Sequence, residues 1–455
     1  MFRSYVAESR MKSIRNNIVS RSLFSLFRKQ PFPAPPPGPL LPHEEPIDEE
    51  FCPSYNSTHC YPLKPGDVLA NRYQALVKVG WGGSSTVWFA RDLRGYRWKP
   101  ETVVALKISN HNHQAPQEEY DTEQHIAKTD PSHRGRALLR TSSDYFVLDG
   151  PNGKHSCLAY EPLREPLWLY QRRFVGEKIP LVIVKLYTTF VLTALDYLHT
   201  ECKIVHTDLN LQNIMVSFED PAVLGNFMNT QLETPMQYKI DSTGRPIYLC
   251  HNEFGSLKNL NAIPQIVDFG SANKLDAENK YGIYPIQIDY YRAPEVILGC
   301  GWRMSADIWT LGTLLWELIE SEKLFRQVHD KDRSYNAKAH LAEMIALLGP
   351  PPPEVLTRAR EMLEHKWPVA VSKVPNGPRY DNAQDFFGGP FFDADDKFLH
   401  GYLIPDRKLA DVIPASLEGK DRGNFLSFAK SMLAWNPAER KTAKELLEHP
   451  FLQLD

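Results

Sequence analysis

The sequence predicts an α+β fold, a small β-rich lobe followed by a larger helical one. Three observations predict it. Short runs of apolar and β-branched residues, separated by turn residues, fill the region from about 61 to 163. From about residue 179 onward, apolar residues instead recur every three or four positions. The chain has 455 residues, enough for two lobes that each bury a core.

Taken in order, "RYQALVKVG" (72–80), "STVWFARD" (85–92) and "ETVVALKIS" (101–109) read as strands, and "DYFVLDGPNGKHSCLAYEPL" (144–163) as two more joined by a Gly-Pro-Asn-Gly turn. A short helix is expected at "QEEYDTEQHIAK" (117–128). In "IPLVIVKLYTTFVLTALDYLHT" (179–200), Ile183, Leu186, Phe190, Ala194 and Leu198 make one buried helix face. Further apolar helices are predicted at 306–320, 339–349, 424–435 and 442–452, and no internal repeat is found.

Composition narrows the function classes. A net charge of −3 gives no general field for nucleic acid or anionic membrane, so neither partner is expected. The six cysteines are scattered without a C-x-x-C pair, which argues against zinc sites and disulfides and for a reducing compartment. Charges interrupt the apolar runs, and no membrane span is predicted. Residues 1–60 read as a separate, disordered tail. Residues 1–30 hold seven basic residues against Glu8, as either an organelle-targeting presequence or a solvated basic tail. "PFPAPPPGPLLP" (31–42) reads as an extended polyproline linker, and "HEEPIDEE" (43–50) as a solvated acidic patch.

Several segments carry chemistry. In "KVGWGGSSTVWFARD" (78–92), Gly80, Gly82 and Gly83 let backbone N–H groups approach phosphate oxygens, although many ordinary hairpins carry Gly-x-Gly. Lys107, in an apolar strand 27 positions after Gly80, can reach such phosphates or snorkel to water. Glu119 or Glu123, one turn apart on the following helix, could hold it. "IVHTDLNLQNIM" (204–215) supplies Asp208 and Asn213, and "IVDFGSA" (266–272) supplies Asp268. Two carboxylates and an amide around a triphosphate are what magnesium-assisted phosphoryl transfer requires. "YYRAPEVILG" (290–299), "DIWTLG" (307–312) and "WNPAERKTAKELLEHPFL" (435–452) follow in that order, and the ordered set is far more specific than any one member.

With these motifs in place, the chain resembles a eukaryotic protein kinase over about residues 68–452, and more narrowly the serine/arginine-protein kinases, in particular their fungal members. "GWGGSSTVW", "GPNGKH", "YEPL", "VHTDL", "HLAEMIALLGPPP" and "FFDADDKF" carry the narrower likeness. The resemblance implies a bilobal protein kinase fold, with an N-lobe over 61–163 and a C-lobe over 164–455. It implies ATP and Mg2+ as cofactors, a monomeric state, and a protein substrate, with Arg-Ser-rich splicing-type proteins as the expected class. It assigns Asp208 as catalytic base, and Asn213 and Asp268 as magnesium ligands. Val79, Gly80, Trp81, Gly82, Gly83, Ser84, Ser85, Thr86 and Val87 would cover the ATP phosphates. Lys107 would hold the α/β-phosphates and pair with Glu119, while Tyr160, Glu161 and Leu163 would form the segment that meets adenine. Glu295 would make a structural ion pair with Arg440. Asn213 and Asp268 lie 55 positions apart, so an insert of about 218–262 stands where the family carries its spacer, and it is expected to loop out over the larger lobe. Cytoplasm and nucleus are the expected locations, with mitochondria as the alternative that the basic N-terminus raises.

Two departures matter. Thr207 replaces an arginine that in many kinases grips a phosphorylated activation segment, so residues 268–295 are expected to hold their shape by packing. Asn210 replaces the lysine that touches the γ-phosphate and the base. Losing one charge-assisted contact costs about 1.5–3 kcal/mol, or roughly 10- to 150-fold in rate. A slow kinase is expected, with a pseudokinase scaffold as the alternative.

Overall fold

The computed structural model describes residues 27–454 except 54, 113–115, 276–279 and 375. The basic stretch before residue 27 lies outside the described residues. The chain divides into two compact units.

The first unit holds described residues up to Gln117, then Ser142–Pro162 and Pro221–Gly255. Its centre is an antiparallel sheet of strands β1 (Val68–Leu69), β2 (Tyr73–Trp81), β3 (Ser85–Asp92), β4 (Val103–Ser109), β5 (Asp144–Gly150) and β6 (Gly153–Tyr160), in the order β1-β2-β3-β4-β6-β5. The strands are rich in Val, Tyr, Phe and Trp, whose branched or flat side chains fit a pleated, half-buried surface. Tyr73, Val77, Trp88, Phe89, Leu106 and Leu158 are buried in it.

Two expectations are corrected in this unit. Residues 27–60 are not a disordered tail. Phe32 exchanges hydrogen bonds with the Gln74 side chain (2.8 and 2.7 Å), and Arg91 lies 3.8 Å over the Phe32 ring. The proline-rich stretch is extended but docked, because Leu41 and Tyr238 are bonded through their backbones and a Cβ on Gly38 would meet the Met236 carbonyl at 2.0 Å. The acidic patch is solvated only in its first half: Glu44 and Glu45 are exposed, whereas Asp48 and Glu49 are buried around Lys78.

The insert, expected over the larger lobe, packs on this sheet instead. Its helix (Pro221–Glu233) places Phe227 against Phe89 and Phe254, and its hairpin, β7 (Tyr238–Ile240) with β8 (Pro246–Tyr248), brings Tyr248 edge-on to Trp88. Burial of these aromatic rings supplies the driving force. They sit among polar residues, so the segment reads as a surface loop.

The second unit holds Glu118–Thr141, Leu163–Asp220 and the described residues after Ser256. The helix Pro116–Lys128, expected with the sheet, belongs here apart from its first two residues. The reason is its docking on the long helix Leu181–Thr200: Tyr197 donates to the Ile126 carbonyl (2.7 Å), and His125 Nε2 meets the Cys202 carbonyl (3.0 Å). The long helix is buried on more than the expected stripe, since Val184, Tyr187, Val191, Leu192 and Leu195 are buried while Leu186 and Phe190 are only half-buried. With mean hydropathy 1.6 it is long and apolar enough to cross a membrane, so charges do not break it as expected. Its apolar surface is used inside this unit's core. The helices Ser305–Glu320, Ala337–Leu348 and Gly419–Lys430 complete that core.

Candidate active site

The loop after Ile204–Val205 is folded by its own short polar side chains. The His206 Nδ1 accepts from the Asp208 backbone N–H at 3.3 Å, which leaves Nε2–H to donate to the Val267 carbonyl at 3.1 Å. The imidazole thus ties the loop to the strand end that leads to Asp268. Asn210 closes an Asx turn, its Oδ1 accepting from the N–H groups of Gln212 (2.8 Å) and Asn213 (3.2 Å). Its Nδ2 donates to the Asp208 carbonyl (2.9 Å) and to Asp208 Oδ1 (3.2 Å). Asn213 Nδ2 donates to the same carbonyl and to Asp208 Oδ2, each at 2.9 Å. Both carboxylate oxygens of Asp208 are therefore oriented by amides.

Burial raises the Asp208 pKa from its ordinary value, and the neighbouring Asp268 charge adds to the rise. His206 and the two asparagine amides oppose it. The balance favours a carboxylate ready to take a proton, as a general base requires.

Asp268 adopts a left-handed backbone, φ 66°. A Cβ placed on Gly270 would lie 3.5 Å from Asp268 Oδ1 and 3.6 Å from Glu119 Oε2, so Glu119 stands beside this turn. Glu119 and Glu123 are both buried in this unit. With Asn213 Nδ2 committed to Asp208, its Oδ1 is the atom that can face a hard cation. Amide and carboxylate oxygens of Asn213 and Asp268 are a donor set that fits Mg2+.

Thr207 is β-branched yet has φ 68°, a strained conformation. Its surroundings hold it there. The Thr207 N–H donates to Asp307 Oδ1 (3.1 Å), its Oγ1 donates to the Ser271 carbonyl (2.7 Å), and its carbonyl accepts from Gln287 N (3.1 Å). The residue that replaces an arginine thus binds both ends of the activation segment without a phosphate. Arg292 adds bonds to the Ile286 and Gln287 carbonyls and to Asp289.

The first unit presents the glycine turn. Gly82 N–H donates to the Ser85 carbonyl at 2.9 Å, Trp81 pairs with Thr86, and Gly80 pairs with Val87. Val79 precedes them, and Ser84 completes the turn. A Cβ on Gly82 or Gly83 would meet nothing within 4 Å, so the turn's backbone is open to a ligand. Lys107 lies mid-sheet on β4, between Val87 and Leu158. Tyr160 ends β6, Glu161 is exposed just beyond it, and Leu163 opens the second unit as a buried residue.

The protein kinase domain family model matches residues 73–452. The chain belongs to the protein kinase family. It is 32% identical to a serine/threonine protein kinase of Aspergillus fumigatus, over 94% of this chain and 98% of the relative. It is 29% identical to the serine/threonine-protein kinase SRPK of Physarum polycephalum, over 89% and 91%. A solved kinase-domain crystal structure matches the fold with TM-score 0.59 at 23% identity, over 88% of this chain and 100% of that one. The chain is a serine/threonine protein kinase of the serine/arginine-protein kinase type, with the protein kinase fold that the sequence predicted.

The kinase has the Glu295–Arg440 pair expected from the motifs: two bonds of 2.7 and 2.6 Å between fully buried side chains. Two residues that organise the loop were missed. Asp307 accepts from the N–H groups of His206 (2.8 Å) and Thr207 and meets His199 Nε2 at 2.9 Å. A buried acid within an otherwise apolar helix was the available signal. Gln287 offered none: it joins Thr207 and Arg292 through its backbone, and its side chain bonds to Ala306, Thr310 and Ala293, none of which is signalled locally.

Proposed function

We propose that this kinase transfers the γ-phosphate of ATP to serine or threonine in proteins, with arginine-flanked serines as its substrate class and Asp208 as base. The observation that carries the reading is the Asp208 carboxylate, held at both oxygens by Asn210 and Asn213. Asp208 would accept the proton of the substrate hydroxyl. Lys107, paired with Glu119, would hold the α/β-phosphates under the hairpin from Val79 to Val87, and Glu161 and Leu163 would meet adenine. Mg2+, held by Asn213 and Asp268, would neutralise phosphate charge when bound. The Arg-Ser preference is supported by the likeness to the Physarum SRPK and to SRSF protein kinase 3 of mouse, which is 36% identical over 35% of this chain.

A γ-labelled ATP assay against Arg-Ser and unrelated peptides tests both levels. Transfer by wild type and none by Asp208→Ala is expected, and equal labelling by both overturns the assignment of Asp208. Equal use of peptides with and without arginine removes the substrate class alone. The second reading, a pseudokinase scaffold, draws on Asn210, which brings an amide where the loop's cation is expected; wild-type protein that transfers no phosphate would establish it. For location, the reading is cytoplasm and nucleus. Imaging the tagged full chain beside one lacking residues 1–40 tests this, and mitochondrial signal that depends on those residues overturns it.

A further inference from the structure

The strand that carries Gly80 is gripped from outside its own ladder. Lys78, two residues earlier on β2, is 1% exposed. Its Nζ donates to Asp48 Oδ2 (3.0 Å), to Glu49 and to the Tyr248 carbonyl (2.9 Å), so all three ammonium protons have acceptors. Its backbone is engaged as well. The N–H meets Met236 Sδ at 3.1 Å, and the carbonyl accepts from His251 N at 2.8 Å. Next along the strand, Asn252 Nδ2 reaches the Val79 carbonyl at 3.4 Å.

The two gripping pieces are also joined to each other. Asp48 Oδ2 accepts from Cys250 N at 2.6 Å, and Lys239 Nζ pairs with Glu50 at 2.7 Å and donates to the His43 and Glu45 carbonyls. Arg245 donates to the Ser57 and Tyr61 carbonyls. Burial alone would push the Lys78 ammonium down. The Glu49 and Asp48 carboxylates outweigh it and lift the group above its ordinary value, so Lys78 stays charged.

The ladder explains why such a grip is needed. Pairing of β2 with β3 slips twice, between Ala75 and Val77 and again between Lys78 and Gly80. Such irregularities on both sides of Lys78 interrupt the ladder and bend the strand just before the glycine turn, where support from outside the ladder matters most.

We propose that residues 43–52 and 236–252 form a two-piece brace on the glycine hairpin, with Lys78 as its positioning residue, so that nucleotide affinity depends on both pieces. Lys78 acts through the backbone of β2 and touches no nucleotide. The kinetic part of the test rests on the nucleotide role of the hairpin, whereas the exchange part does not.

The test uses the full chain, read by amide hydrogen exchange together with ATP KM and kcat. In Lys78→Glu, exchange should speed at least about tenfold in both 76–82 and 45–52, while the helix Leu181–Thr200 is unchanged. ATP KM should rise at least about threefold with kcat nearly constant. Adding Glu49→Lys should restore exchange and KM. General destabilisation would instead speed exchange everywhere and would not be repaired by the reversed pair. Unchanged exchange in 45–52, or no recovery in the double variant, overturns the brace. Should Lys78→Glu fail to fold, Asp48→Asn with Glu49→Gln removes the charges at constant shape, and unchanged exchange over 76–82 then overturns it. Absence of phosphate transfer by wild type would count against the catalytic reading, and the exchange pattern alone would then decide the brace.

Discussion

In the catalytic loop, Asp208 receives its side-chain donors from residues two and five positions further on. In the hairpin strand, Lys78 finds its acceptors 29, 30 and 170 positions away. In the first arrangement the carboxylate is oriented by local Asx-type bonds, while distant residues (Val267, Ser271, Gln287 and Asp307) hold only the two residues that precede it. The second exists only after three distant segments have come together, and it places a buried cation between two buried acids. A loop of the first kind tolerates changes elsewhere in the chain. A strand of the second kind responds to any change in its remote partners, which makes the hairpin the more adjustable region.

The largest expected effect separates the two. Asp208→Ala should lower kcat by about 10²–10⁴-fold, the usual contribution of a positioned base. Exchange over 76–82 should stay as in wild type. Faster exchange in the hairpin of this variant would break the comparison by showing that the loop supports it.

Next is the stability held in the brace. Lys78→Ala leaves Asp48 and Glu49 buried without their cation, which should cost about 3–5 kcal/mol in denaturant unfolding. Replacing all three with Met, Leu and Met at 78, 48 and 49 should recover only part of the loss: it removes the buried charges, but it also takes their partners from the Cys250 N–H and the Tyr248 carbonyl. A loss below about 1 kcal/mol for Lys78→Ala would mean that the acids reach water and that the grip is weak.

The same contrast explains what was legible in the sequence. His206, Asp208 and Asn213 could be found because the bonds that join them to one another span only two to five residues, and a short motif records them. Glu295 and Arg440 could be found because each belongs to a motif of its own. The brace could not. Asp48 and Glu49 look like solvated acids in "HEEPIDEE", and nothing nearby shows that Lys78 will be buried against them. The insert's Phe227, Tyr248 and Phe254 are spaced too irregularly to signal a helix or strand face on the sheet. The strand pattern did predict the sheet itself, since its alternation is local. It gave no sign that the helix Pro116–Lys128 would pack with Tyr197 in the other unit.

Asn210→Lys sharpens the comparison from the loop's side. The lysine would add a charge near the transferred phosphate, worth about 1.5–3 kcal/mol when fully felt. It would remove the Asx turn at Gln212 and Asn213, a loss of about 1 kcal/mol. A net rise in kcat of roughly tenfold is expected in single-turnover measurements. A fall would show that the amide's grip on Asp208 matters more than the missing charge, and the loop would be even more self-contained than described.

The smallest effect is in pH. The folded state raises the Asp208 pKa, chiefly by burial and then by Asp268. The acid limb of kcat/KM should therefore lie above the ordinary aspartate value of about 3.9. Asn210 opposes the rise by donating to Oδ1, so Asn210→Ala should move that limb further toward neutral pH. The stability sign is the reverse of a salt-bridged carboxylate. A raised pKa means that the folded state binds the proton more tightly than the unfolded chain. Ionised Asp208 thus opposes folding above its folded pKa, and the penalty fades as pH falls through that value toward the unfolded one. Unfolding free energies of wild type and Asp208→Ala, compared across this acid window, should draw together by this term as the pH is lowered. An acid limb that Asn210→Ala leaves in place would mean that the amide orients the carboxylate without tuning its charge, and the loop's hydrogen bonds would then act through geometry alone.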